Sequence, residues 1–334
     1  MQKILVIQTA FIGDVVLATA LTEKLHAFFP AAQIDFLVRK GNESLLLNNP
    51  CLHEVLIWDK KKHKTRNLFS LLSKIRSARY DKVINLQRYL STGILTAFSG
   101  AAQTIGFDKN PLSILFSKKV SHQFNLQHPR HEVEKNNDLI RDFTDDSFTK
   151  PALYPSTEDV AYVQQFIKGP FVTMTPSSVW FTKQYPVDKW VELIDQFDPA
   201  YTIYLLGGKD NISECETIRS RSRNKNTVVL AGNLHFLRSA ALMKSAAMNF
   251  TNDSAPLHFA SAVNAPVTAI FCSTIPAFGY TPLSDVSYIV ETKEILDCRP
   301  CGVHGKKACP QGHFKCGYTI HTAQLLEKIK PTVC

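Results

Sequence analysis

The feature that most narrows the fold is a recurrence: a short apolar run, a turn, then a helix-patterned stretch, repeated along almost the whole chain. The series opens with KILVIQ at residues 3–8 and DVVLATALTEKLHAFF, whose apolar positions return at helical spacing. QIDFLVR, EVLIWD, KVINLQ and AQTIGFD are expected as strands, with NESLLLNN, TRNLFSLLSKIRSAR and STGILTAFSGA as helices between them. Short all-apolar strands separated by helices predict a parallel sheet covered on both faces. An irregular stretch at 108–135 and a helix at EVEKNNDLIRDF follow, and the turn residues and prolines of TDDSFTKPALYPSTED mark a boundary. The alternation then restarts with EDVAYVQQFI, FVTMTP, VDKWVELIDQF, TIYLLGG, NISECETIRSRS, TVVLAG, FLRSAALMKSA, MNFTND, APLHFASAV and PVTAIF, and TAQLLEKIK closes it as a helix.

A chain of 334 residues exceeds what one hydrophobic core covers. The expectation is therefore an α/β protein of two Rossmann-like, doubly wound domains, 1–150 and 151–334, with the last helix free to return to the first domain. Two such domains make a cleft between the carboxyl ends of their strands, where ligands of open α/β sheets bind.

Composition removes several classes. With 45% hydrophobic and 20% charged residues the chain reads as a soluble globular protein, and no apolar run approaches the ~20 residues of a membrane span. It starts at once with a strand and shows no secretory pattern, so a cytoplasmic location is expected. The net charge of +9 suits nucleic acid, an anionic membrane face or phosphorylated substrates. No nucleic-acid motif accompanies it, which leaves membrane or phosphate. The densest basic run, KKKHKTR at 60–66, is either a solvated loop or part of such a surface. Four of the eight cysteines form Cys298-x2-Cys301-x7-Cys309-x6-Cys316. That spacing suits a structural zinc, with packed reduced thiols or disulfides formed on purification as competing readings. No metal and no cofactor is assigned.

Four segments carry chemistry. QTAFIGD, residues 8–14, lacks the G-x-G-x-x-G of a dinucleotide site and places Asp14 at the first strand–helix junction. That carboxylate is either a helix cap or, in a cleft closed to water, a general base. TPSSVWFTKQYP offers Thr175, Ser177, Ser178 and Lys183 beside a helix start, a combination suited to a diphosphate. TNDSAPLHFASAV offers Asp253, Ser254 and Ala255 before a first-turn proline, then His258. The bland reading there is a plain Asp253 cap and a packed histidine. LLGGKDNISE offers Gly207 for close backbone approach and Asp210 for ribose hydroxyls.

Taken in order, IGDVVLATAL, INLQR, IGFD, HEVEKNNDLI, TPSSVWFTKQYP, LLGG, TNDSAPLHFASAVNAPVTAIF and CRPCGVHGKKACPQGHFKCGYTI resemble the bacterial heptosyltransferases of lipopolysaccharide core assembly, glycosyltransferase family 9. The resemblance implies the GT-B fold, two facing Rossmann-like domains, the first binding the acceptor and the second the nucleotide-sugar. It implies metal-independent, inverting transfer of heptose from ADP-heptose to an inner-core acceptor. In that scheme Asp14 is the general base, Lys183 neutralises the donor phosphates, residues 253–255 form the phosphate-binding turn, and His258 is its following histidine. Thr175, Ser177, Ser178, Gly207 and Asp210 complete the donor side. Arg88, ending VINLQ, and Lys40, ending FLVRK, are the acceptor-side candidates. The partners implied are a nucleotide-sugar, a lipid-linked saccharide and the inner-leaflet surface, at which the protein would be peripheral. Two other readings stay open: a GT-B transferase using a different nucleotide-sugar, and a non-catalytic membrane-peripheral nucleotide-sugar-binding protein.

Overall fold

The apolar runs pair side by side, always in parallel, into two six-stranded sheets. They are seen in a computed structural model that describes residues 1–329; Lys330, where the expected closing helix ends, and Cys334 lie outside the described residues. The chain divides into two compact units, the first Met1–Tyr154 and the second beginning at Pro155.

In the first unit the elements run β1 (Lys3–Ile7), α1 (Ile12–Phe28), β2 (Gln33–Arg39), β3 (Glu54–Trp58), α2 (Lys64–Ala78), β4 (Lys82–Asn85), α3 (Leu90–Ala97), β5 (Gln103–Phe107), β6 (Lys118–Val120) and α4 (Glu132–Asn137). The sheet order is β3-β2-β1-β4-β5-β6. Ile4, Leu5, Val6 and Ile7 are fully buried because β1 lies at the centre with helices on both faces. α1 is buried along most of its length rather than on one stripe, and its buried Thr19, Thr22 and Lys24 find partners inside the protein. Thr19 and Thr22 donate to carbonyls one turn back, each at 2.7 Å. Lys24, only 1% exposed, donates to the carbonyls of Asp145 and Ser147 at 2.6 Å and pairs with the Asp145 carboxylate at 2.8 Å.

The second unit runs α5 (Thr157–Val163), β7 (Phe171–Thr175), α6 (Val187–Asp195), β8 (Thr202–Leu205), α7 (Ile212–Arg221), β9 (Thr227–Val229), α8 (Phe236–Lys244), β10 (Met248–Asn252), α9 (Ala255–Ala262), β11 (Val267–Phe271), β12 (Ser287–Glu291), α10 (Lys315–Tyr318) and α11 (Thr322–Leu326). Its order, β12-β11-β10-β7-β8-β9, is the same plan as the first. Trp190, Tyr185, Phe250 and Leu193 anchor its core. α11 packs on α6 in this unit: Thr322 Oγ1 donates to Glu192 at 2.7 Å, and Leu325 joins the core.

Three local differences from the sequence reading have physical causes. NESLLLNN is one 3₁₀ turn, Glu43–Leu45, that buries Leu45 and Leu46, and Asn48 at φ 60° ends any helical path. β6, of sequence KKV, falls in the stretch read as irregular; it is an edge strand carried by β5 alone. β12, SYIVE, is the edge strand at the other sheet's margin and was also not anticipated.

Each order reverses direction once, between β1 and β4 in the first sheet and between β7 and β10 in the second. Loops leaving the strands at such a crossover part to opposite faces and leave a crevice at the carboxyl edge. Most of the candidate residues lie at or near these two places, with Lys40 beyond β2 and Gly207 and Asp210 beyond β8.

Candidate active site

At the β7/β10 crossover, a loop and a helix start from different strands bring Lys183 and Asp253 together. The Lys183 ammonium lies 2.7 Å from Asp253 Oδ2, with side chains 14% and 6% exposed. Thr274, just beyond β11, donates to the same oxygen at 2.6 Å. Asp253 is therefore not the cap of the following helix. That position belongs to Ser254, whose backbone is extended and whose side chain makes no capping bond. The Ser254 hydroxyl points back to the Asn252 carbonyl at 3.4 Å, so no cap side chain closes the first turn of α9, which carries Pro256 and Ala255. His258, one turn on, is buried with its ring 6.5 Å from that of Tyr280.

The other donor-side candidates spread along the same edge. Thr175 ends β7; its buried hydroxyl has no hydrogen-bond partner among the described residues, and neither has that of its neighbour across the ladder, Thr251. Asn252 fixes the loop after β7 by accepting from the Tyr185 amide at 2.9 Å. The Ser177 hydroxyl is held by Glu214 at 2.6 Å, and the Ser178 carbonyl by Gln184 at 2.7 Å. Gly207 lies two residues beyond β8, where a Cβ would come within 2.9 Å of Asn211, and Asp210 is exposed on the turn Lys209–Asn211.

Behind Lys183 lies the cysteine-rich loop. Cys298, Cys301, Cys309 and Cys316 line one cavity of about 500 Å³, together with Thr182, Lys306, His313 and Phe314. All are free thiols, and burial pushes Cys316 up to about 12 and raises Cys301. Among the described residues no three histidine, cysteine or acidic side chains are gathered to hold a metal ion.

In the first unit, Asp14 is the third residue of α1 and half-buried; its Oδ2 accepts from the Phe11 amide at 3.2 Å, a capping contact. The turn before it is fastened from several strands. Ala10 N–H donates to Gln8 at 3.2 Å, Asn42 to the Ala10 carbonyl at 3.1 Å, and Gln87 to Gln8. Lys60 donates to both the carbonyl and the hydroxyl of Thr9 at 2.9 Å. A cavity of about 500 Å³ opens beside this turn at the β1/β4 crossover, lined by residues that include Thr9, Phe11, Arg39, Lys60, Lys64, Tyr89 and Ser91. Burial, then the neighbouring Arg39 and Lys64, pull the Lys60 ammonium down to about 8, and it sits 4.7 Å from the centre of the Trp58 ring.

Of the acceptor-side candidates, Lys40 is exposed and paired with Asp59 at 3.0 Å, which helps hold that carboxyl down at about 2. Arg88 is exposed, its guanidinium 5.9 Å from the Tyr89 ring. The cations lining the cavity are instead Arg39, one residue before Lys40, and Lys60 and Lys64 from the basic run. Alternation along β2 was the available signal, since adjacent strand residues face opposite sides. Lys60 and Lys64 were hidden inside a run whose members look interchangeable in sequence.

Two doubly wound parallel units of one plan, with polar candidates at their carboxyl edges, are the architecture of the GT-B glycosyltransferases. The sequence pattern of glycosyltransferase family 9 (heptosyltransferase) matches residues 68–310, and the chain belongs to that family. It is 28% identical to lipopolysaccharide heptosyltransferase 3 of Escherichia coli over 282 residues, 79% of this chain and 82% of the relative. Among solved structures it is similar to E. coli ADP-heptose lps heptosyltransferase II, with TM-score 0.81, 21% identity, and 98% and 97% of the two chains covered. A family 9 glycosyl transferase of Veillonella parvula superposes with TM-score 0.84 at 21% identity, over 98% and 96% of the chains.

Proposed function

We propose that the protein is an inverting glycosyltransferase that moves heptose from ADP-heptose to a lipopolysaccharide inner-core acceptor. The observation that carries this reading is the Lys183–Asp253 pair at the crossover of the second sheet, beside a helix start that no cap side chain closes. A leaving diphosphate needs positive charge and hydrogen-bond donors already aimed at it. In the proposed scheme Lys183 supplies the charge, Asp253 orients it, and the amides of Ser254 and Ala255 at the start of α9 add donors along the helix dipole. Thr175, whose hydroxyl is otherwise unused, offers one more donor, with Ser177 and Ser178 beside it. Gly207 and Asp210 border the ribose, and His258 supports the turn from behind. Charge on the leaving group is met by side chains and amides, so the scheme uses no metal.

Asp14 takes the proton from the acceptor hydroxyl as that oxygen bonds to the anomeric carbon and the C–O bond to ADP breaks on the opposite face, inverting the centre. The domain assignment follows: the first unit holds the acceptor, the second the nucleotide-sugar. The cavity with Arg39, Lys60 and Lys64 suits an acceptor carrying acid groups, with Arg88 and Lys40 outside it as electrostatic attractors. Among the described residues no helix is long and apolar enough to cross a membrane. In this reading a lipid-linked acceptor and the basic run at 60–66 would draw the protein to the cytoplasmic face of the inner membrane as a peripheral protein.

The names of the relatives, lipopolysaccharide heptosyltransferases with an ADP-heptose enzyme among them, support this choice of donor and acceptor. The test is nucleotide release from ADP-heptose, set against UDP- and GDP-sugars, with and without a heptose-deficient lipopolysaccharide acceptor. Acceptor-dependent ADP release is expected. Faster release from a UDP- or GDP-sugar would replace the donor, and no release from any of them would leave a binding protein.

A further inference from the structure

Lys183 is reached from behind by the cysteine-rich loop, whose hydrogen bonds there go to its neighbour, Thr182. Every polar group of this buried threonine is engaged. Its amide donates to the Lys306 carbonyl at 3.1 Å, and its carbonyl accepts from the Ser273 amide at 3.2 Å. Its hydroxyl oxygen accepts from the Lys306 amide at 2.8 Å and from the Ser273 hydroxyl at 2.9 Å. Gly305 lies directly against the stem of the neighbouring lysine: a Cβ there would stand 2.9 Å from Lys183 Cγ and 3.0 Å from Thr182 Oγ1. At φ +75° that glycine holds a backbone conformation that other residues rarely adopt.

The same loop reaches the other half of the pair. Arg299 donates to the carbonyls of Phe271, Cys272 and Thr274, the last at 2.7 Å, and pairs with Glu291. It thereby pins Thr274, which donates to the Asp253 carboxylate at 2.6 Å. The Cys301 amide ties the loop to the Ser273 carbonyl at 2.9 Å. One loop thus sets the root of the lysine and one of the partners of its carboxylate.

We propose that Thr182 is a positioning residue: with Gly305 it fixes the root of Lys183, so that the ammonium is already in place for the donor diphosphate. The inference rests on the reading that Lys183 meets that diphosphate. A lysine has four rotatable bonds, and freezing them at the moment of binding is costly. A root clamped on three sides has lost part of that freedom beforehand, which is what a supporting layer of hydrogen bonds contributes to a functional side chain.

The experiment is a mutant cycle in the full-length protein, read by calorimetric ADP binding and by KM for ADP-heptose and for acceptor. Thr182→Val keeps the shape and removes the hydroxyl; Thr182→Ser keeps the hydroxyl. The expected result is about a ten-fold weaker ADP affinity in Thr182→Val, as for other supporting-layer losses. The donor KM should rise with it while the acceptor KM stays put, and Thr182→Ser should recover most of the affinity. In a Lys183→Ala background, Thr182→Val should cost nothing further, because the residue through which it acts is gone. Equal losses in both backgrounds would mean a merely structural role and overturn the proposal, as would an unchanged ADP affinity in Thr182→Val. If Lys183→Ala alone leaves ADP binding intact, the reading of Lys183 fails first and this inference falls with it. Should Thr182→Val not fold, Ser273→Ala carries the same cycle, since it removes one of the two donors to the Thr182 hydroxyl and keeps the backbone bond between the two residues.

Discussion

Asp14 has two jobs available to it, and Asp14→Asn separates them. As a cap, its Oδ2 accepts from the Phe11 amide at 3.2 Å at the head of a 17-residue helix. An asparagine keeps a carbonyl oxygen in the same place, so that bond survives. What is lost is a negative charge near the helix N-terminus, worth ~0.3–1 kcal/mol. For units of this size that is a fall in Tm of at most about 4 °C. As a base, the same residue must accept a proton, which an amide cannot do; removing a general base lowers turnover by ~10²–10⁴-fold, or ~3–5 kcal/mol of barrier. The two readings therefore differ by several kcal/mol in one observable and by almost nothing in the other. The assay pairs acceptor-dependent ADP release with thermal unfolding and calorimetric ADP binding on the same preparation. The expected outcome is near-complete loss of turnover, ADP affinity within two-fold of the parent, and a nearly unchanged Tm. Asp14→Ala should match it in turnover and fall further in stability, having lost the cap as well. Turnover within ten-fold of the parent in Asp14→Asn would refute the base and leave a cap.

Lys183→Ala should weaken ADP binding by ~10–100-fold, the loss of one or two charge-assisted bonds. It also leaves the buried Asp253 carboxylate without its cation, so Asp253→Asn in that background should raise Tm again; a further fall would show that the pair does not stabilise the fold as described. Lys60, drawn from 10.5 to about 8, binds its proton less tightly in the folded protein than in the unfolded chain. Its contribution to stability is therefore present above pH 10.5 and lost as pH falls through 8. Relative to Lys60→Met, the parent should gain ~1–2 kcal/mol between pH 7 and 10.5, a figure reduced for the solvent that still reaches the ammonium. Acceptor KM in the parent should rise through pH 8 as the cation is lost, and a pH-independent difference from Lys60→Met in both measurements would refute the placement. Neutralising Lys61, Lys62 and Arg66, exposed and outside the cavity lining, should cut sedimentation with anionic vesicles by about 1 kcal/mol per charge. Binding that ignores salt would sink the electrostatic account.

The strands at the sheet centres were legible because burial on both faces favours apolar residues, as in ILVI of β1 and, its two threonines apart, FVTMT of β7. Edge strands carry no such demand: KKV of β6 and SYIVE of β12 are exposed on one side or in part, and their sequences say little. NESLLLNN misleads for a related reason, since leucines packing under a turn resemble a helix stripe over so short a span. At the site, the residue types and their positions after the strands could be read, but the pairing of Lys183 with Asp253 could not. Those residues are 70 positions apart and meet only because β7 and β10 are neighbours in the sheet. Likewise the N-cap position of α9 falls to Ser254, without a capping bond, while the Asp253 carboxylate is taken up by a tertiary cation.

The repeated ground plan has a consequence for variation in such a chain. Each unit has an apolar cluster of its own, the first around Leu5, Leu37 and Ile75, the second around Trp190, Phe250 and Ile203. Neither interior borrows a side chain from the other for these clusters, so sequence drift in one half can proceed without loosening the other half's scaffold. On the proposed division of labour, a lineage could then change what it modifies by altering loops beyond β3 and β4, while the half assigned to the activated sugar is inherited intact.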